Sequence, residues 1–231
     1  MRCCDPTNVE SSRPQGKQAW NSVPQDFLWR CLSARKNQLK LAICGTHSTG
    51  KTSLLRNVES VLRERGYTVG RVAELAVEAR KRGFPILRDH TFGSTLWIMA
   101  RGITLELEAG LAADVVLVDR PVPGAMDYLL AALKHRGSHL EIHRTNYLRC
   151  LVKEHAGTYQ RIFKTVIDDA KAIDSTKPRD MDPEFRLQVA VELDHLFDDL
   201  RIPFEALNTE PDAARDQILQ STMSLLGSNS A

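Results

Sequence analysis

Long apolar runs are missing from this chain: no stretch among its 231 residues approaches the roughly 20 apolar residues that a membrane-crossing helix needs. The N-terminus also lacks the apolar stretch of a secretory signal, so export is not expected. Charge of one sign is lacking too. The 31 Lys and Arg face 29 Asp and Glu, and a formal net charge of +2 gives no electrostatic ground for a membrane or nucleic-acid partner. Aromatics make up 6% of the chain and do not interleave with basic residues, as a single-strand binding groove would require. Cysteines are few and odd in number, at positions 3, 4, 31, 44 and 150. None stands in a CxxC or Cys/His spacing that would hold zinc. The expected setting is therefore reducing and cytoplasmic, with Cys44 a small core residue.

What is present is concentrated at 45–52, Gly-Thr-His-Ser-Thr-Gly-Lys-Thr, which fits the phosphate-loop pattern GxxxxGK[ST] at every fixed position. Chance gives such a match in about one chain per hundred of this length. The flanks sharpen the signal. Residues 39–44 form a mostly apolar run of strand length. Leu54, Val58, Val61 and Leu62 then recur at helical spacing until Gly66. The pattern has a mechanism. Gly45 and Gly50 permit turns in which backbone N–H groups point inward at an anion. Lys51 reaches the outer phosphates, and the Thr52 hydroxyl is suited to Mg²⁺. The expected phosphate cradle comprises Gly45, Thr46, His47, Ser48, Thr49, Gly50, Lys51, Thr52 and Ser53, aimed along a helix whose positive end faces the same phosphates.

Along the chain, strand-like runs alternate with amphipathic helices. Strands are expected at 67–72, 115–118 and 204–207. Helices are expected at 73–82, 123–135, 140–155 and 212–226, with two more marked by Leu96, Met99, Ile103, Leu107 and Leu111, and by Phe185, Val189, Leu193, Leu196 and Leu200. Residues 159–167 fit either a helix face or a buried strand. The alternation predicts an α/β fold with a parallel sheet covered by helices on both faces, and a ligand site at the carboxyl ends of its strands. Residues 1–36 read as a partly disordered N-terminal extension in which Trp20, Phe27, Leu28 and Trp29 form a short docking segment. Residues 37–226 form the domain and 227–231 a loose tail.

Two acids, three arginines and a threonine complete the candidate chemistry. Asp119 ends the run 115–118, the Walker-B position of a carboxylate that holds Mg²⁺. Glu74 follows the second strand and is either a group that takes or orients an acceptor hydroxyl proton or a first-turn helix glutamate. Arg120 is either aimed at a substrate or part of a surface ion pair. The charged segment 168–182 carries Arg179, which as a lid residue would stabilise the transferring phosphoryl group, or else is a solvated loop. Thr95 and Arg101 are candidates for an acceptor pocket, whereas Trp97 reads as core.

These motifs resemble, over about residues 39–208, the kinase-like P-loop family of AAA type that includes the ribosylnicotinamide kinase domain of the bacterial NAD-biosynthesis regulator. The resemblance rests on the loop at 45–52, on Glu74-Leu-Ala-Val-Glu-Ala-Arg80 beside the family's Glu-x-Ala-Arg, on 115–120, and on the arginine-bearing run 178–186 that enters a helix. It implies a three-layer P-loop NTPase fold with a five-stranded parallel sheet, and a strand at 159–167. It also implies ATP- and Mg²⁺-dependent phosphoryl transfer to a small, nucleoside-like hydroxyl acceptor. A nucleotide-dependent ATPase switch working through protein partners is the alternative. A GTPase is disfavoured because neither an Asp-x-x-Gly after the third strand nor a base-reading Asn/Thr-Lys-x-Asp is found.

Overall fold

The apolar run at 39–44 becomes the central strand of the molecule. The computed structural model describes residues 38–166 and 182–228. The N-terminal extension, Arg179 with most of the charged segment, and residues 229–231 lie outside them. Strand β1 (Leu39–Cys44) stands in the middle of a wholly parallel five-stranded sheet. The order is β2 (Val69–Val72), β3 (Val115–Asp119), β1, β4 (Arg161–Lys164), β5 (Glu205–Ala206). Residues 159–167 thus contain a strand, with Ile162 and Phe163 buried to opposite faces.

The described residues form seven α-helices: α1 (Lys51–Glu64), α2 (Ala76–Lys81), α3 (Phe92–Gly110), α4 (Pro123–His135), α5 (Ile142–Ala156), α6 (Pro183–Leu200) and α7 (Pro211–Ser228). Strand period two divides the core into two layers. Leu39, Leu41, Ile43, Val115, Leu117 and Phe163 pack with Leu55, Val58 and Leu62 of α1 and Ile218 of α7. Ala42, Cys44, Val116, Val118 and Ile162 face Met99, Met126, Leu129, Leu148, Val152, Leu193 and Phe197 on α3 to α6. The helix starts carry their own signals. Thr91 and Ser94 form a capping box on α3, with Ser94 N donating to Thr91 Oγ1 at 3.2 Å. Asp182 caps α6 by accepting from Glu184 N at 2.8 Å, and Pro183 takes the first helical position.

Three expectations need correction. The second strand begins at Val69, two residues later than the hydrophobic pattern suggests, and the helix after it begins at Ala76. Helix α7 runs through Gly227 and Ser228, which were expected in the tail. On α3, Leu107 and Leu111 are exposed. Successive steps of four residues drift around a helix of 3.6 residues per turn, and the inward position is taken by Glu106. That carboxylate is 2% exposed and fully engaged. His155 Nε2 lies 2.7 Å from its Oε2, Lys40 Nζ donates to the same oxygen at 3.0 Å, and the Tyr159 hydroxyl donates to Oε1 at 2.8 Å.

Candidate phosphate and acceptor site

The sheet order delivers the site. At the carboxyl edge, Ile43 of β1 is in register with Asp119, and Cys44 with Lys164. The turn leaving β1 is therefore flanked by the ends of β3 and β4. Gly45 has φ 125°, and a side chain there would place its Cβ 2.3 Å from Thr165 Oγ1. Close approach of β4 is thus the physical reason for glycine at the loop's first position. Gly50 (φ 83°) is the N-cap of α1 and gives it no side-chain cap, which leaves the helix's positive end open to an anion. Between them, Thr49 bridges to Thr165 through hydroxyls 2.7 Å apart, and Ser48 is held at φ 60°.

Lys51 lies beneath this loop. It is 5% exposed, and its Nζ donates to the Thr46 carbonyl and, at 3.0 Å, to Thr49 Oγ1. Burial, then the Arg120 cation, lowers its pKa to about 8, against the pull of Asp119 and Glu74. An ammonium whose protein partners are neutral oxygens is suited to an incoming polyanion. The Thr52 hydroxyl donates to Asp119 Oδ2 at 2.6 Å. This pairs the loop's last residue with the acid at the end of β3. Among the described residues no group of three or more His, Cys, Asp and Glu forms a metal cage. A hydroxyl beside one carboxylate could instead contribute to a Mg²⁺ shell completed by phosphate oxygens and water.

A second cavity opens beside the loop. Its wall includes His47, Glu74, Leu75, Ile86, Leu87, His90, Ile98, Arg120, Ala125 and Tyr128, around about 520 Å³ of empty space that runs out into solvent. Glu74 and Arg120 meet here, with Nε to Oε1 at 3.2 Å. Of the two readings of Arg120, the structure gives an ion pair, but one largely buried in a cavity. The guanidinium also covers the Tyr128 ring at 4.6 Å. Burial works against its charge, yet Glu74, Tyr128 and Asp127 outweigh burial and raise its pKa. Arg120 (φ 65°) and Leu87 (φ 61°) both hold the left-handed conformation that non-glycine residues rarely adopt, and both stand on this wall.

Tyr128 ties the two regions together. Its hydroxyl accepts from His47 N at 3.2 Å and lies 3.0 Å from His47 Nδ1. Its ring also sits 5.8 Å from that of His90 and 6.4 Å from that of Phe185 at the start of α6. The neighbouring Asp127 is fully buried. Its Oδ1 accepts from Tyr128 N at 2.6 Å, and its Oδ2 has no hydrogen bond among the described residues. Burial pushes its carboxyl up to about 7, against Arg120 and Lys51. A third cavity, with about 740 Å³ of empty space that likewise runs out into solvent, lies on the other side of the loop between Thr49, Ser53, Asn57, Val166, Asn208 and Thr209.

Lys51, Thr52, Asp119, Glu74 and Arg120 thus converge as the sequence suggested. Thr95 and Arg101 do not join them. Thr95 is buried in α3 off the cavity wall, and Arg101 reaches towards Glu78 of α2 at 4.0 Å. Trp97 is half-buried and stacks on Phe84 at 5.0 Å. His90, Asp127, Tyr128, Asn57 and Asn208 escaped the sequence reading. Each is an isolated polar or aromatic residue outside any spaced motif.

Comparison with known proteins adds the following. The family model described as AAA domain matches residues 40–215. No curated protein matches the chain. Among solved structures, the NadR protein in complex with NR matches with a TM-score of 0.60 at 17% identity, over 88% of this chain and 56% of that one. The NadR protein in complex with NAD and AMP-PNP matches at 0.56 and 15%, over 85% of this chain and 51% of that one. Deoxyadenosine kinase from M.mycoides with bound dATP matches at 0.58 and 12%, over 80% of this chain and 99% of that one. The chain thus spans about half the length of the NadR proteins and nearly all of the deoxyadenosine kinase. At these identities the likeness is one of fold alone.

Proposed function

The chain belongs to the AAA domain family, and from that premise we propose that it is an ATP- and Mg²⁺-dependent kinase that transfers the γ-phosphoryl group to a hydroxyl of a small, nucleoside-like acceptor. The observation that carries this reading is the second cavity. A nucleotide-driven switch needs a phosphate loop. It does not need a separate cavity lined by a carboxylate and a guanidinium at the ends of β2 and β3. A donor site and an acceptor site meeting at one sheet edge is what in-line transfer requires.

In this reading residues 45–53 cradle the ATP phosphates, and the cavity beside Asn57 and Asn208 takes the nucleoside end of ATP. Thr52 and Asp119 would hold Mg²⁺, which when bound neutralises charge on the phosphates. Lys51 stabilises charge on the transferring group, and Arg120 does so from the acceptor side. Glu74 lines the acceptor wall and Asp119 does not, so Glu74, although paired with Arg120, is the carboxylate that orients the acceptor hydroxyl and takes its proton. Arg179 is assigned the lid role on the sequence resemblance. The catalytic body runs from residue 37 to the end of α7 at Ser228, and a reducing cytoplasm suits its free Cys44 and Cys150.

The test is ADP formation from Mg-ATP, alone and with a panel of nucleosides, with products checked by mass. An acceptor that raises ADP release and gains one phosphoryl mass supports the kinase. Acceptor-independent release of free phosphate favours the ATPase switch. Glu74→Gln is expected to lower kcat for transfer by about 10²-fold or more while sparing ATP binding; unchanged transfer removes Glu74 from the reaction.

A further inference from the structure

Arg186, in the first turn of α6, is a buried cation to which the described residues supply no counter-charge. It is 6% exposed, and its Nε and Nη2 are buried without a hydrogen-bond partner. Asp182 at the start of the helix, and Glu192 and Asp194 further along it, serve other cations: Arg88 at 2.8 Å, Lys134 at 3.4 Å and Lys164. A guanidinium does not lose its proton inside a protein, so burial cannot be relieved by neutralising it. Leaving such a charge unpaired is costly, and natural proteins rarely keep a buried polar group without a partner. The partner of Arg186 is therefore to be sought in a ligand.

Its neighbours on both sides lead to the phosphate loop. Helix α6 returns from the end of β4 to the start of β5, so its first turn stands at the carboxyl edge of the sheet. Ala190 and Asp194, four and eight residues on, share the helix face of Arg186. Asp194 pairs with Lys164 at the end of β4, and Lys164 is in register with Cys44, from which the loop departs. The preceding residue, Phe185, meets the ring of Tyr128 at 6.4 Å, and the Tyr128 hydroxyl accepts from His47 N inside the loop. The backbone is held too, since Arg186 N donates to the Asp182 carbonyl at 3.1 Å. Arg186 lines neither of the two cavities that flank the loop. It thus serves neither the acceptor wall nor the nucleoside end, and the phosphate chain between them is what remains.

We propose that Arg186 binds the terminal phosphate of the nucleoside triphosphate, as a second buried cation beside Lys51. This rests on the reading of residues 45–53 as the phosphate cradle, and it is separate from the lid role given to Arg179. A planar guanidinium engages two phosphate oxygens at once, and burial strengthens that contact. A nucleoside diphosphate lacks the group that Arg186 meets. Arg186 therefore makes the site prefer triphosphate over diphosphate, and in the free protein it is a charge held ready at a cost in stability.

The experiment titrates the wild type and Arg186→Met calorimetrically with Mg-ADP and with the magnesium complex of the β,γ-imido analogue of ATP. The wild type should bind the triphosphate analogue about tenfold or more tighter than ADP, and Arg186→Met should lose most of that preference while its ADP affinity changes by less than about twofold. Without nucleotide, Arg186→Met should melt at or above the wild-type temperature, because it removes an unpaired buried charge. A merely structural arginine would give a fall. In the wild type, the Nε–Hε NMR signal of Arg186 should move with the triphosphate analogue and stay near its free position with ADP, a readout that needs no variant. A preference absent from the wild type or retained in Arg186→Met, an equal loss of affinity for both nucleotides, a lowered melting temperature, or a signal that answers both nucleotides alike overturns the inference and leaves the kinase reading standing. A wild type that binds neither nucleotide removes the phosphate-cradle reading, and this inference with it.

Discussion

Lys51 shows how one side chain records the state of the site. Its pKa in the free protein is lowered to about 8, chiefly by burial and by Arg120. The phosphates of a bound nucleotide bring negative charge against the ammonium and favour its protonated form. At pH 8.5 binding should therefore take up protons. Titration calorimetry of Mg-ADP in two buffers of different ionisation enthalpy measures this directly. Uptake should fall towards zero at pH 6.5, where Lys51 is already charged, and should be absent in Lys51→Met. Asp127 behaves in the opposite sense. Its folded pKa, about 7, lies above the roughly 4 of an unfolded aspartate. Its contribution is thus fully favourable below pH 4 and is lost as pH rises through 7, where a buried charge must form. Asp127→Asn keeps an acceptor for Tyr128 N. It should be more stable than wild type in urea at pH 8, with the gap closing by pH 4. A variant equally destabilised at both values would mean that the carboxylate is held by a partner worth more than its burial costs.

Between elements, the clearest device is the ionic cluster that joins β1, α3 and α5. Glu106, His155, Lys40 and Tyr159 sit within the apolar layer formed by Met99, Val116, Leu148 and Val152. Burial pushes the Glu106 carboxyl up, but His155 and Lys40 outweigh burial and lower its pKa. The stability this gives is present above the unfolded carboxylate pKa and is lost as pH falls through the lower folded value. Glu106→Ala leaves Lys40 without its counter-charge and His155 and Tyr159 without their shared partner. It should cost about 3–5 kcal/mol in denaturant unfolding at pH 7, with less effect in acid. The same cluster explains why α3 was only partly legible. Counting leucines in steps of four selected Leu107 and Leu111, which face solvent, because a glutamate at an inward position carries no hydrophobic signal. Where apolar spacing does report the core, as with Phe185, Val189, Leu193 and Leu196 on α6, helix and buried face agree with it. The phosphate loop was legible for another reason. Its geometry demands particular residue types at consecutive positions, so sequence and site coincide. The acceptor wall is gathered from β2, the turn at Leu87–Asp89, β3 and α4, and no local pattern announces His90 or Tyr128.

At the scale of the whole molecule, the loop, its helix and both flanking strands share a single core layer, so occupancy of the loop should be felt as global stability. Leu55, Val58 and Leu62 of α1 pack on β1, β3 and β4, while Thr49 and Thr165 join the loop to β4 and Thr52 joins α1 to β3. A ligand bound only by the folded state stabilises by mass action, about 2.7 kcal/mol at a hundredfold excess over Kd. For a domain of this size that corresponds to a rise in Tm of roughly 5–10 °C. Mg-ADP should produce this shift in the wild type. Lys51→Ala removes the buried ammonium without touching the apolar layer, so it should unfold at or above the wild-type temperature in the absence of nucleotide and respond little to Mg-ADP. Tyr128→Phe separates the loop from its neighbour more gently. It keeps the ring against Arg120 and deletes the hydroxyl that meets His47. Its unliganded Tm should change by only a few degrees, while the Mg-ADP shift should shrink, because the loop must then be ordered at the nucleotide's expense. A full shift in Tyr128→Phe would mean that the loop is held by β4 and α1 alone, and that α4 contributes packing but no preorganisation.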